Sequence, residues 1–360
     1  MRIALVLATS AGGVGRHVRS LAAGLGERGA RVAVLGPAST EEQFGFQGAG
    51  ARFRAVDVTD RPRPLPDARA VLRLRRLLRD ADVVHAHGLR AGGLAALALG
   101  GRRPALAVTL HNAAVAGGMV GWVYAVLERI VAYRADLVLG VSPDLVARAR
   151  GRGARATGHA LVPASPSAAP RKDRAAVRAE LSAGERPVVL FVGRLAEQKG
   201  LPALLDAAAG WSTRANPPLV LVVGDGPLAD PLDRRIEAEG LPVRLLGHRP
   251  DVPELLNAAD VVVVPSVWEG QPLAVQETLR AGRPLVATRV GGIPAMVGDA
   301  ALLVPAGDPV ALERGVARVL DSRYLAARLE EAARARAATL PTEDDAVERV
   351  TTLYRELVLG

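Results

Sequence analysis

The side chains of this 360-residue chain that could do chemistry are two spaced cations, two spaced carboxylates, three strand-end histidines and a glycine turn. Arg194 and Lys199, in FVGRLAEQKG, follow a predicted strand and precede Gly200 and a helix. Two fixed cations beside a helix N-terminus suit a diphosphate, because one unit-charge pair at ~4 Å is worth about 4 kcal/mol at an effective dielectric of ~20. Lys172 and Lys199 are the only lysines in the chain, so a lysine at 199 suggests a need for a compact point donor. Taken alone, two surface cations would read the same way. Glu269 and Glu277 enclose seven residues in the stretch 261–292, VVVVPSVWEGQPLAVQETLRAGRPLVATRVGG. One carboxylate falls in a loop and the other within a short helix that follows Pro272. A lone Glu pair at this spacing also fits a helix-end charge plus a surface residue. His85 and His87 stand at i and i+2 on one strand and point the same way, and His111 follows the strand ALAVTL. No carboxylate stands at ligand spacing beside them, so packing or a hydrogen bond at the strand end is expected, and no metal site. Gly12, Gly13 and Gly15 in AGGVGRH let a ligand approach backbone N–H groups, or make a tight turn only. Val18 stands at the third position of the dinucleotide fingerprint, and Leu35-Gly36 where an acidic residue would end the second strand. A nicotinamide or flavin site is therefore disfavoured.

These residues need elements to hold them. Arg2 to Ala8 reads as a buried strand, then a glycine turn, then a helix with Val18, Leu21, Ala22 and Leu25 on one face, then a strand at 31–35. Further strands are expected at 53–58, 82–86, 105–110 and 137–141, with a basic helix over 66–79. Arg69, Arg73 and Arg76 form its solvated face, and Leu72, Leu74, Leu77 and Leu78 its apolar side. The apolar stretch 113–127 is too short for a membrane span, which needs about 20 residues. Trp122 and Tyr124 within it and Tyr133 just beyond it are expected to pack in the core, with shaping of the acceptor side or contact with a membrane as the alternatives. From 151 to 186 periodicity gives way to Pro, Ala and Ser, a linker signature with one short helix at 173–181. Alternation then restarts, with strands at 188–192, 219–223, 243–246, 261–264, 285–288 and 302–304 separated by helices. The pattern predicts two doubly wound α/β domains.

Composition narrows the function classes. Hydrophobic residues at 49% and charged residues at 23% describe an ordinary globular protein. The chain has no cysteine, which excludes disulfides and thiolate metal sites. A net charge of +9 invites a nucleic-acid reading, but the charge is nearly all arginine, aromatics are only 3% and no binding motif accompanies it. No nucleic-acid partner is expected, while a basic contact with anionic lipid stays open.

The motifs gain meaning from their order: GGVGRHV, HAHG, TLHN, GRLAEQKG, GDGP, then the Glu269/Glu277 block with AGRPLVATRVGG. In that order, over nearly the whole chain, they resemble the family 4 retaining glycosyltransferases. The resemblance implies a GT-B fold, α/β, with two Rossmann-like doubly wound domains facing a cleft. The expected organisation is an acceptor-side domain over 1–165, a linker over 166–186, a nucleotide-sugar domain over 187–340, and a terminal helix over 341–360 crossing back to the first domain. It further implies a UDP- or GDP-linked sugar donor, an unidentified lipid, glycan or small-molecule acceptor, and neither cofactor nor metal. A cytoplasmic enzyme, with peripheral contact at the inner membrane face left open, fits that chemistry. By the resemblance, Arg194 and Lys199 hold the donor diphosphate with amides of Gly270, Gln271, Pro272-Leu273 and of the Gly12-Gly13 turn. Glu277 takes the ribose diol, Glu269 the donor sugar near the reacting centre, His111 the sugar from the opposing domain, and His248 approaches the base, with Arg249 beside it. The sequence departs from the family in LVPASPSAAP, in Ala295 and in the short turn VGDAALLVP. A GT-B nucleotide-sugar isomerase and a non-catalytic nucleotide- or glycan-binding relative are the alternatives.

Overall fold

The computed structural model describes residues 1–359 except 11, 60, 101–103, 113–117 and 167, so Ala11 of the glycine motif and the start of the apolar stretch 113–127 lie outside the described residues. The chain divides into two compact units, Met1–Pro163 with Pro341–Gly360, and Ala164–Leu340.

The first unit is built on a seven-stranded sheet: β1 Arg2–Leu7, β2 Arg31–Gly36, β3 Arg52–Ala55, β4 Val83–His87, β5 Ala105–Leu110, β6 Leu137–Gly140 and β7 Thr157–His159. Their order is β3-β2-β1-β4-β5-β6-β7, every pair parallel. The second unit carries six parallel strands: β8 Val188–Val192, β9 Leu219–Val223, β10 Val243–Leu245, β11 Val261–Val264, β12 Leu285–Thr288 and β13 Leu302–Val304. Their order is β10-β9-β8-β11-β12-β13. Strands such as LVLVV (β9) and VVVV (β11) are buried along their whole length, as a parallel sheet covered on both faces demands. In each sheet the winding direction reverses once, between β1 and β4 and between β8 and β11. Such a reversal opens a crevice beyond the carboxyl ends of the strands, where ligands of doubly wound sheets bind.

Three expectations need correction. The segment 166–186 does not stand apart as a linker but groups with the second unit. Asp173 caps the helix Arg174–Glu180 by accepting from the Ala176 N–H at 2.7 Å, and Val177, Leu181 and Ala183 enter the core. Few apolar residues, well placed, make this stretch part of the fold despite its Pro- and Ser-rich composition. Second, Trp122 and Tyr133 do not pack in the core. Both are more than two-thirds exposed, and Tyr133 is flanked by the guanidinium groups of Arg134 and Arg155. Third, the basic helix Pro64–Leu77 buries only the narrow stripe of Ala70 and Leu74, leaving Leu72 and Leu77 exposed.

Residues 341–360 group with the first unit. Their helix, Glu343–Leu359, starts in a reciprocal cap in which Asp345 accepts from the Thr342 N–H and Thr342 Oγ1 accepts from the Asp345 N–H. It lays Ala346, Val347, Val350, Leu353 and Tyr354 against the unit, meeting the helix Gly13–Glu27. Among the described residues no helix is long and apolar enough to cross a membrane.

Candidate active site

At the reversal point of the second sheet, the loops after β8 and β11 bring Lys199 and Glu269 together. Lys199 Nζ donates to Glu269 Oε1 at 2.6 Å, and Ser266 Oγ donates to the same oxygen at 2.7 Å. The Glu269 side chain is only 6% exposed and that of Lys199 25%, so the carboxylate is desolvated while its cation keeps a wet edge. A buried carboxylate is tolerated only when paired and hydrogen-bonded, and both conditions are met here.

Backbone contacts fix that pairing. Gly200 adopts φ +66, and a Cβ there would fall 2.0 Å from the Pro265 carbonyl oxygen. Glycine alone lets the chain after Lys199 lie on the end of β11. The Val267 N–H then donates to the Gln198 carbonyl at 2.8 Å, and Gln198 Nε2 donates to the Trp268 carbonyl at 2.8 Å. From the other side, Thr288 Oγ1 at the end of β12 donates to the Ser266 carbonyl at 2.6 Å. Gly291, at φ +50, passes so close to Glu269 that a Cβ would stand 1.8 Å from its carbonyl oxygen. The Gly292 N–H donates to that oxygen at 2.9 Å. The two glycines ending the 261–292 stretch therefore hold the Glu269 backbone in place.

Beyond Glu269 the chain runs through buried Gly270, half-buried Gln271 and buried Pro272 into the helix Leu273–Arg280. No side chain caps the start of that helix and its first turn carries no acidic residue, so its leading N–H groups face outward with the positive end of the helix dipole. Half-buried Glu277 lies within it, and Gln276 and Arg280 bind the backbone of Ala164 at 2.7 and 2.6 Å. Arg194 is exposed just beyond β8 and makes no ion pair among the described residues. The loops after β8, β9 and β10 are joined in series: the Leu195 N–H donates to Asp225 O at 2.9 Å and the Gly224 N–H to Gly247 O at 2.8 Å. This series carries exposed His248, two strands from the Lys199 loop, and Arg249 bonds to Asp251.

The crevice of the first unit is chemically different. The helix Gly13–Glu27 begins directly after the glycine turn, with Gly12 and Gly13 half-buried, and of its first-turn N–H groups that of Gly15 donates to Ser10 Oγ at 3.3 Å. His17 on this helix is buried, and so are His85 and His87 of β4 and His111 in the loop after β5. His85 Nδ1 meets the Tyr354 hydroxyl at 2.5 Å and its Nε2 meets Thr109 Oγ1 at 2.7 Å, while His87 Nδ1 meets His111 Nε2 at 3.1 Å. Burial pulls His17 down to about 4. Burial, then repulsion from His17, pulls His85 down to about 3. Burial, followed by neighbouring imidazoles, holds His87 and His111 well below the ordinary range. The cluster is uncharged at neutral pH, and burial holds the Tyr354 phenol above its usual value.

Sequence reasoning missed Ser266, Gln198, His17 and Tyr354. Ser266 carried a usable signal, a hydroxyl at a strand's carboxyl end three residues before the loop carboxylate. Tyr354 carried none, because it reaches His85 across 269 residues of chain.

Residues 12–165 match the family model described as glycosyl transferase 4-like domain, and residues 173–336 match that of glycosyl transferases group 1. The alpha-D-kanosaminyltransferase of Streptomyces kanamyceticus is 31% identical over 193 residues, 52% of this chain and 50% of that protein. The D-inositol 3-phosphate glycosyltransferase of Corynebacterium glutamicum (strain R) is 34% identical over 204 residues, 52% of this chain and 49% of that protein. The chain spans half or less of the length of the curated relatives it matches. Among solved structures, Anabaena HepE in complex with UDP-glucose superposes with a TM-score of 0.83 at 21% identity, over 99% of this chain and 100% of that one. The fold is thus the GT-B α/β class, two Rossmann-like units.

Proposed function

The chain belongs to the glycosyltransferase group 1 family, and we propose that it moves a sugar from a UDP- or GDP-linked donor to an acceptor hydroxyl, with retention at the anomeric carbon and without a metal ion. The observation that carries this reading is the buried Glu269 carboxylate held by Lys199 and Ser266 at the reversal point of the second sheet, beside a helix start without a side-chain cap.

The chemistry asks for few parts. When the C1–O bond to the diphosphate breaks, negative charge develops on the leaving phosphate. Arg194, Lys199 and the leading N–H groups of Leu273–Arg280 offset it electrostatically, with the Gly12-Gly13 turn assigned a supporting role. A lysine already held by a buried carboxylate needs little reorganisation to serve. The acceptor oxygen bonds C1 on the face the diphosphate leaves, and its proton passes to the departing phosphate oxygen. Ser266 and Lys199 both bind Glu269 Oε1, which leaves Oε2 for hydroxyls of the donor sugar. Glu277 takes the ribose diol, a pairing that suits a carboxylate with two acceptor oxygens. His111 is assigned to a sugar hydroxyl and His248 to the base. Two protein cations and a helix dipole do the work that a metal ion does elsewhere. UDP-glucose, bound in the HepE structure, is the first donor to try, and the name of the D-inositol 3-phosphate transferase makes cyclitols the first acceptors.

The test is a panel of UDP- and GDP-sugars with inositol phosphate and aminocyclitol acceptors in excess chelator, reading nucleoside diphosphate release and the product anomer by NMR. Release with a retained anomer is expected. An inverted anomer, or a rate abolished by chelator and restored by a divalent cation, would contradict the respective clause. No release with any pair would remove the reading.

A further inference from the structure

The contact between His87 and His111 couples the tautomers of the two rings, so that where one carries its proton fixes where the other does. His85 cannot help His87, since both of its nitrogens are taken by the hydroxyls of Tyr354 and Thr109. Its ring instead lies against that of His87, centroids 4.2 Å apart, and fixes the plane in which His87 sits. His87 has one polar contact, Nδ1 to His111 Nε2 at 3.1 Å, and its Nε2 is buried with no partner among the described residues. Burial keeps both rings neutral, so each holds a single N–H.

Two arrangements satisfy the contact. If His111 donates from Nε2, the proton of His87 must sit on its own Nε2, a buried donor with nothing to receive it. If His87 donates from Nδ1, what is stranded is a bare lone pair. Two considerations favour the second. Orphaned buried N–H groups are rarer than under-used acceptors. The helix Leu89–Leu99 also begins two residues after His87, with no side-chain cap and no acidic residue in its first turn. Its positive end favours a lone pair over an N–H nearby.

We infer that His87 is a positioning residue: it donates from Nδ1 to Nε2 of His111 and thereby holds the His111 proton on Nδ1. A neutral imidazole in water prefers the Nε2–H form, so the fold selects the minority tautomer. Resting on the proposed glycosyl transfer, this makes His111 a hydrogen-bond donor toward an oxygen of the donor sugar.

The experiment is a two-bond 1H–15N correlation spectrum of the full chain at neutral pH, for wild type, His87→Phe and His87→Asn, alongside turnover of the donor. In wild type, Nδ1 of His111 is expected to be the protonated nitrogen and Nε2 the bare one. His87→Phe keeps a ring but loses the donor; His111 should revert toward Nε2–H and kcat should fall roughly tenfold, the cost of about one hydrogen bond to the reacting sugar. His87→Asn places an amide N–H where Nδ1 stood, and is expected to keep the Nδ1–H form and most of kcat. An Nε2–H form of His111 in wild type, or an Nδ1–H form that survives His87→Phe, overturns the inference. If His87→Phe fails to fold, the wild-type and His87→Asn spectra still decide. A tautomer that follows the expectation while kcat does not move supports the role of His87 and removes instead the assignment of His111 to the sugar.

Discussion

The crevices of the two units occupy the same place in the same topology, yet one is charged and the other is not. After β8 and β11, a lysine and a carboxylate are held against each other with a serine on the same oxygen. Around the ends of β1, β4 and β5, four neutral imidazoles pack ring to ring. One is bonded to Thr109 and to the Tyr354 phenol of the terminal helix, and two are bonded to each other. The doubly wound sheet supplies a crevice and helix N-termini in both cases; the residues placed there decide what can be bound. A fixed cation beside a helix start stabilises a leaving anion, whereas neutral rings offer directional donors and acceptors.

The largest way to break the contrast is to remove the cation. Lys199→Ala is expected to lower kcat by about 100- to 1000-fold, the usual cost of losing one electrostatic contact to developing charge. Circular dichroism should show the fold retained, and a near-normal kcat would leave the leaving-group role without support. The next effect belongs to the first unit. His17, His85, His87 and His111 have folded-state values below the ordinary 6.5, so the unfolded chain binds more protons as pH falls. Their contribution to stability is complete above pH 6.5 and is lost as pH drops toward about 4 for His17 and about 3 for His85. The second unit has only the exposed His248. Hydrogen exchange at pH 7.5 and pH 5 should therefore show protection lost first in β1, β4 and β5, and equal loss in both units would contradict the neutral-cluster description. Smaller again, Gly291→Ala puts a methyl group onto the Glu269 carbonyl at positive φ and is expected to cost about 2 kcal/mol or more of the second unit's stability in urea. The smallest change is Tyr354→Phe, which strands His85 Nδ1 at about 1 kcal/mol with no cavity made; its melting temperature should drop by a few degrees while donor binding stays as in wild type.

Much of the second crevice was legible in the sequence because its parts are adjacent in the chain. The run VVVV, the loop to Glu269, the helix after Pro272 and the strand 285–288 fall where periodicity and turn residues place them. The partner of Glu269 was legible only as a separate motif, since Lys199 lies 70 residues away and nothing local says the two touch. The first crevice was less legible. The i, i+2 spacing correctly put His85 and His87 on one face, but their hydrogen-bond partners come from β5 and from the terminal helix. The misreading of 166–186 has a similar cause: composition records how many apolar residues a segment has, and Val177 and Leu181 reach the core by position rather than number.

The central claim is that the charged crevice holds a nucleoside diphosphate. The most direct measurement is calorimetric titration of UDP, GDP, ADP and dTDP, with chelator present, into wild type, Lys199→Ala and Glu277→Ala. Selective binding of UDP or GDP is expected, weakened in both variants, with Glu277→Ala also lowering the preference for ribo- over deoxyribonucleotide. Binding that is absent at millimolar nucleotide, or unchanged when Lys199 and Glu277 are removed, would contradict it.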